Sequence, residues 1–212
     1  MQPFVLWGNR NWSSPYFFSA YVALKEKGLP FEVRTLDLDK GEQQQAVYAT
    51  QSRTARIPSL AHGDFVLSES SAIVEYLEDT APEVPVLPSG AQDKARARQI
   101  MSWVRSDATL AIRIARSTDY MFGFVIPAPP LSDEARAACD RLFTVSRAML
   151  DGKPSLFDRF TIADADLAFM LQRLILVNDA VPAELRAYAM TCFERPSIQA
   201  FLTERVPHVA RT

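Results

Sequence analysis

The sequence predicts an α/β domain of order βαβαββα followed by an all-helical domain. Three observations carry that expectation. Apolar residues alternate between strand-like and helix-like spacing through about residue 80. A segment punctuated by Pro82, Pro85, Pro88 and Gly90 then interrupts the pattern. Beyond it the spacing is helical, with no further strand pattern. The expected boundaries are 1–81 for the α/β domain, 82–91 for a linker and 92–212 for the helical domain.

Each element has a local reason. Phe4-Val5-Leu6-Trp7 is a short apolar run of the buried-strand type. Ser13-Ser14-Pro15 supplies a helix start, with Ser14 as N-cap and Pro15 at the first helical position. Phe17, Tyr21 and Leu24 follow on one helical face, and Gly28 closes the helix. Phe31-Glu32-Val33-Arg34-Thr35-Leu36 alternates as a strand, and strand–helix–strand implies a parallel pair. Residues 41–50 read as a weaker helix. Residues 59–61 and 65–67, joined through Gly63-Asp64, read as a hairpin. Ser68 is then expected to cap a helix whose stripe is Ile73, Tyr76 and Leu77. After the linker, helices are expected over 92–117, 132–150, 161–177, 183–194 and 197–205. Pro127, Pro129 and Pro130 make 122–130 a loop.

Composition removes several function classes. The 212 residues are 48% hydrophobic, enough for a substantial core. With 23 Lys+Arg against 25 Asp+Glu the net charge is −2, which offers no field for nucleic acid or an anionic membrane. The densest basic stretch, Lys94-Ala95-Arg96-Ala97-Arg98, reads as a solvated helix face. No apolar run approaches the ~18 residues of a membrane span. Met1-Gln2-Pro3 has neither the basic start nor the apolar core of a signal peptide. Cys139 and Cys192 are too few for a disulfide framework, so a reducing, cytoplasmic compartment is expected. His62 and His208 have no ligand spacing, and no metal site is expected.

Four local patterns occur in order along the chain. Ser13-Ser14-Pro15 opens the first helix. Arg56-Ile57-Pro58 precedes the hairpin, Glu69-Ser70-Ser71-Ala72-Ile73 opens the next helix, and Thr161-Ile162-Ala163-Asp164 has capping-box spacing. Together they resemble the glutathione transferase superfamily over nearly the whole chain. Leu67-Ser68-Glu69-Ser70-Ser71-Ala72-Ile73 and Arg96-Ala97-Arg98-Gln99-Ile100 are most similar to bacterial transferases of the YfcF type. The resemblance implies a thioredoxin-like first domain, glutathione as co-substrate and a homodimer. It also implies a catalytic residue at the first helix start, a cis proline at Pro58, and a glutathione site built from Arg56, Ile57, Pro58, Glu69 and Ser70. Ser52-Arg53-Thr54-Ala55 departs from the family's common Asn-Pro-x-Gly-Lys segment.

The chemistry fits those residue types. A thiol with a pKa near ~8.5 is only slightly ionised at neutral pH, and the thiolate is the nucleophile. Lowering that pKa by about two units needs roughly 2.7 kcal/mol of preference for the anion. A helix N-terminus supplies about 0.3–1 kcal/mol. A hydroxyl donating to the thiolate adds on the order of 1.5–3 kcal/mol. Ser14 can therefore be an activator or a plain N-cap, and Ser13 competes for the role. The first cysteine is Cys139, so a protein-thiol mechanism in the first domain is not expected.

At the next helix start, Ser70 and a free N–H suit a carboxylate. Glu69 suits an ammonium, and the γ-glutamyl end of glutathione carries both groups. Ile57-Pro58 resembles the segment whose backbone pairs with the peptide as an added strand. Arg56 either reaches its glycyl carboxylate or is solvated. Trp103, Tyr120 and Phe122 are candidates for a second-substrate pocket, with ordinary core packing as the alternative. The expected activity is conjugation of glutathione to a hydrophobic electrophile, or reduction of an organic peroxide or disulfide. A non-catalytic glutathione-binding scaffold and a zeta-like maleylacetoacetate isomerase are the alternatives, although the zeta motif Ser-Ser-Cys differs from Ser13-Ser14-Pro15.

Overall fold

The structure, a computed structural model, describes residues 3–205. The chain parts into two compact units, one running to Val86 and regaining the chain at Pro196, the other spanning Leu87–Arg195.

The first unit is built on four strands, β1 (Phe4–Asn9), β2 (Phe31–Leu36), β3 (Ser59–His62) and β4 (Phe65–Ser68), in the order β2-β1-β3-β4. β1 and β2 are parallel, while β3 is antiparallel to both β1 and β4. Helices α1 (Pro15–Glu26) and α3 (Ser70–Thr80) pack together, burying Phe17, Phe18, Tyr21 and Leu24 from one and Ile73, Val74 and Leu77 from the other. α1 approaches the sheet closely. A Cβ on Gly8 would lie 2.4 Å from the Phe17 ring, so only glycine fits there.

Between β2 and β3 the expected helix over 41–50 is instead a 3-10 turn, Glu42–Gln44, and a helix, α2 (Ala46–Ser52), separated by extended Gln45. Ser68 also departs from expectation. It ends β4 rather than capping α3. Its hydroxyl donates to the Ser52 carbonyl at 3.0 Å and accepts from Thr54 Oγ1 at 3.0 Å. A partner sixteen residues away thus outcompetes the local helix N-terminus.

The second unit contains α4 (Ala91–Trp103), the 3-10 turn Asp107–Thr109, α5 (Leu110–Ala115), α6 (Thr118–Met121), α7 (Asp133–Leu150), α8 (Ile162–Ile175) and α9 (Ala183–Phe193). The single helix expected over 92–117 is broken after Val104. There Thr109 Oγ1 takes the Val104 carbonyl at 2.9 Å and Ser106 Oγ accepts from Ala108 N–H at 3.3 Å. Side-chain hydroxyls replace the helical ladder at that point. α8 is buried along its whole length, and α4, α6 and α9 pack on it.

Helix α10 (Pro196–Glu204) belongs to the first unit and packs on α1. Its fully buried Phe201 meets Trp12, Phe17, Phe18 and Tyr21 with ring centroids 5.2–5.4 Å apart in tilted, edge-on arrangements. The architecture is therefore the predicted one: a four-stranded thioredoxin-like α/β unit and a helical unit.

Candidate functional site

The sheet register brings the expected residues to one end of the first unit. Trp7 pairs with Ser59, and Ser59 with Ser68. Gly8 and Asn9 leaving β1, Pro58 entering β3 and Glu69 leaving β4 therefore emerge together. The loop after Asn9 returns the chain to the N-terminus of α1, which carries Ser14.

Ser14 has extended backbone angles, φ −70° and ψ 123°, and its Oγ accepts from Phe17 N–H at 3.3 Å. It is a true N-cap. Its hydroxyl proton has no acceptor among the described residues. Ser13 differs. It is buried, accepts from Asn9 Nδ2 at 3.0 Å and donates to Asn11 Oδ1 at 3.0 Å. Its proton is already used within the protein.

The Ile57–Pro58 peptide is cis. Pro58 is buried, Ile57 half-buried, and the Arg56 side chain exposed. Sequence reasoning missed Tyr48, which fixes this segment: its hydroxyl donates to the Arg56 carbonyl at 2.7 Å and lies 3.0 Å from Ser59 Oγ. Burial raises the phenol's pKa, with the Ser59 and Ser52 hydrogen bonds opposing. An aromatic residue on a short polar helix is a weak signal, because its partner is a backbone carbonyl.

Glu69 stands between β4 and α3 with φ 74° and ψ 113°, a conformation that costs a non-glycine residue about 1–3 kcal/mol. Its side chain is exposed. Its carbonyl accepts the first helical bond of α3, from Ile73 N–H at 2.9 Å. Ser70, the first residue of α3, is buried at the helix N-terminus, the end whose dipole favours an anion.

The second-unit candidates are dispersed. Phe122 is buried and packs edge-on against Phe169 at 6.2 Å, while Trp103 is half-buried at the end of α4. Tyr120 lines a cavity of about 750 Å³ with Arg116, Val125, Ile126 and Leu176, in which neither Trp103 nor Phe122 takes part. Neither cysteine is disposed to act as a nucleophile. Burial pushes the Cys139 thiol up to about 11 and that of Cys192 up to about 12. Among the described residues no group of three or more His, Cys, Asp or Glu side chains could hold a metal ion; His208 lies outside them. No helix among them is long and apolar enough to cross a membrane.

A thioredoxin-like unit with a cis proline entering β3 and a Glu-Ser step opening α3, continued by a helical unit, defines a class of glutathione-handling proteins. The sequence comparisons agree. The glutathione S-transferase N-terminal domain family matches residues 2–79 and the C-terminal domain family residues 90–206. The chain belongs to the glutathione S-transferase family. It is 36% identical over 98 residues to a maleylacetoacetate isomerase of Dictyostelium discoideum, a match covering 45% of each chain. It is 33% identical over 116 residues to glutathione S-transferase theta-3 of Mus musculus, covering 53% of this chain and 48% of that one. The matches thus span about half the length of these curated relatives. Among solved structures, a glutathione transferase homolog from Burkholderia gl BGR1 with bound glutathione shares 36% identity and a TM-score of 0.78, covering 96% of this chain and 98% of that one.

Proposed function

We propose that this chain is a glutathione transferase in which the Ser14 hydroxyl donates to the glutathione thiolate. The observation that carries the reading is the uncommitted Ser14 proton at the N-terminus of α1, at the same end of the sheet as Pro58, Glu69 and Ser70. The γ-glutamyl end binds at Glu69 and Ser70, the cysteinyl backbone pairs beside Ile57-Pro58, and Arg56 faces the glycyl carboxylate. The thiolate then attacks a small hydrophobic electrophile or an organic hydroperoxide. The protein works in the cytoplasm as two functional domains, a glutathione-binding one over 1–81 and a helical one from 92 onward whose α10 packs back on the first. Similarity to a maleylacetoacetate isomerase gives isomerisation of maleyl acids as a second reading. A panel of an aryl halide, cumene hydroperoxide and a maleyl substrate separates them.

The test sets Ser14→Ala against Glu69→Ala. A hydrogen bond to a charged group is worth about 1.5–3 kcal/mol, so Ser14→Ala should lower turnover near pH 7 roughly 10- to 100-fold. It should also raise the bound thiol's pKa, read from thiolate absorbance, and barely change glutathione affinity. Glu69→Ala should do the reverse, weakening affinity in titration calorimetry. An unchanged thiol pKa in Ser14→Ala would reduce Ser14 to a helix cap.

The protein is also expected to be a homodimer. Light scattering at micromolar concentration should give twice the chain mass of 23.7 kDa, and a monomer mass would refute the assembly.

A further inference from the structure

We propose that Asn9 is a positioning residue for Ser14, acting through the backbone and through Ser13 to aim a single hydroxyl at the glutathione sulfur. The inference rests on the reading of Ser14 given above. Asn9 ends β1 and is 5% exposed, so its carboxamide is a buried polar group that must be satisfied internally. All of its capacity points into the loop that leads to α1. Oδ1 accepts from Ser14 N–H at 3.2 Å. Nδ2 donates to Ser13 Oγ at 3.0 Å and also to Asn11 Oδ1. Its backbone carbonyl accepts from Trp12 N–H at 3.0 Å, closing the turn.

Two consequences follow for the thiol. First, the Ser14 amide is removed from the set of donors that a thiolate could recruit, and residue 14 is held by Asn9 on one side and by Phe17 N–H on the other. The Ser14 O–H is then the one donor of that residue left to face a ligand. Second, Ser13 is committed. Asn9 donates to its oxygen and Asn11 takes its proton, so it cannot rotate to the sulfur without breaking a buried network. The Asn9 carboxamide therefore decides between the two adjacent serines. A buried network of this kind fixes geometry in advance of binding, which is where a hydrogen bond to a developing anion gains its effect.

The test is the bound-thiol titration in Asn9→Ala, Ser14→Ala and the double variant, with kcat and KM for glutathione measured alongside. In Asn9→Ala the bound-thiol pKa should rise by about one unit and kcat near pH 7 should fall about tenfold, with KM for glutathione nearly unchanged. In the double variant the pKa should not exceed that of Ser14→Ala alone, because Asn9 acts through Ser14 and the residue-14 N–H and Ser13 hydroxyl it releases can only favour the anion. Asn9→Ser keeps a hydroxyl in the buried site but is too short to reach Ser14 N–H. It should reproduce the shift should the alanine variant fold poorly. An unshifted pKa in folded Asn9→Ser or Asn9→Ala, with Ser14→Ala shifted, overturns the positioning role and leaves the Ser14 reading intact. Equal, additive shifts in both backgrounds also overturn it. No shift in Ser14→Ala overturns the underlying reading and this inference with it.

Discussion

Lys27→Met should destabilise the first unit by about 3–5 kcal/mol, the cost of leaving a buried ion without its partner. Lys27 closes α1, and its side chain is wholly buried. The ammonium lies 2.7 Å from Glu78 Oε1 and donates to the carbonyls of Ala81 at 2.8 Å and Val84 at 3.0 Å. Its three protons therefore have three acceptors, two of them backbone carbonyls at and beyond the end of α3, where a cation also suits the helix dipole. Methionine matches the length of the aliphatic stem but strands Glu78, whose remaining protein donor is Val86 N–H at 2.8 Å. Lys27→Met with Glu78→Leu removes both charges and should recover much of the loss. Urea unfolding followed by tryptophan fluorescence measures both. A single-variant cost below about 1 kcal/mol would mean that water or a rearranged chain solvates Glu78, and the pair would not be a structural tie.

Lys27 and Glu78 also show where sequence reasoning stops. Fifty-one residues separate them, and each reads locally as an ordinary charged helix residue. What was legible had a local cause. Ser14-Pro15 and Gly28 bound α1, Gly63-Asp64 turns the hairpin, and Thr161 with Asp164 opens α8. What was not legible came from distant partners. Ser68 looks like a cap until Ser52 and Thr54 are seen beside it. The break after Val104 is an exception with a local cause, the Thr109 and Ser106 hydroxyls capturing nearby backbone groups in a stretch of weak helix formers. Helix α10 has an unremarkable amphipathic pattern, and only Phe201 among the α1 aromatics shows which unit it completes. The glutathione-site candidates were readable from family resemblance, because their backbone settings recur with short motifs. Asn9 belongs to no such motif. Its one signal is a polar residue ending an apolar strand, followed within five positions by Asn11, Ser13 and Ser14.

Asp164→Ala should cost the second unit about 3–5 kcal/mol, since it removes the acceptor shared by four buried donors. Oδ1 accepts from Leu156 N–H at 2.8 Å and from Tyr188 OH at 3.0 Å. Oδ2 accepts from Thr161 N–H at 2.8 Å and Thr161 Oγ at 2.9 Å. The carboxylate joins the start of α8 to α9 and to the chain before α8, and its residue is fully buried. Burial pushes Asp164 above the usual carboxylate range, outweighing the Leu156, Thr161 and Tyr188 hydrogen bonds that favour the anion. The native state therefore binds the proton more tightly than the unfolded chain does. By linkage, the stability contributed by that proton is complete below the ordinary aspartate pKa. It is lost as pH rises through the raised native value. Asp164→Asn cannot titrate, though its amide must face donors on one side, so it should be destabilised yet lack this pH term. Subtracting its unfolding free energy from that of the native chain across the acidic range should give a difference that falls with rising pH. A flat difference would place the folded pKa at its unfolded value, with the four donors balancing burial. The Asp164→Ala loss should persist at every pH, because Leu156 N–H and Tyr188 OH stay buried without their acceptor.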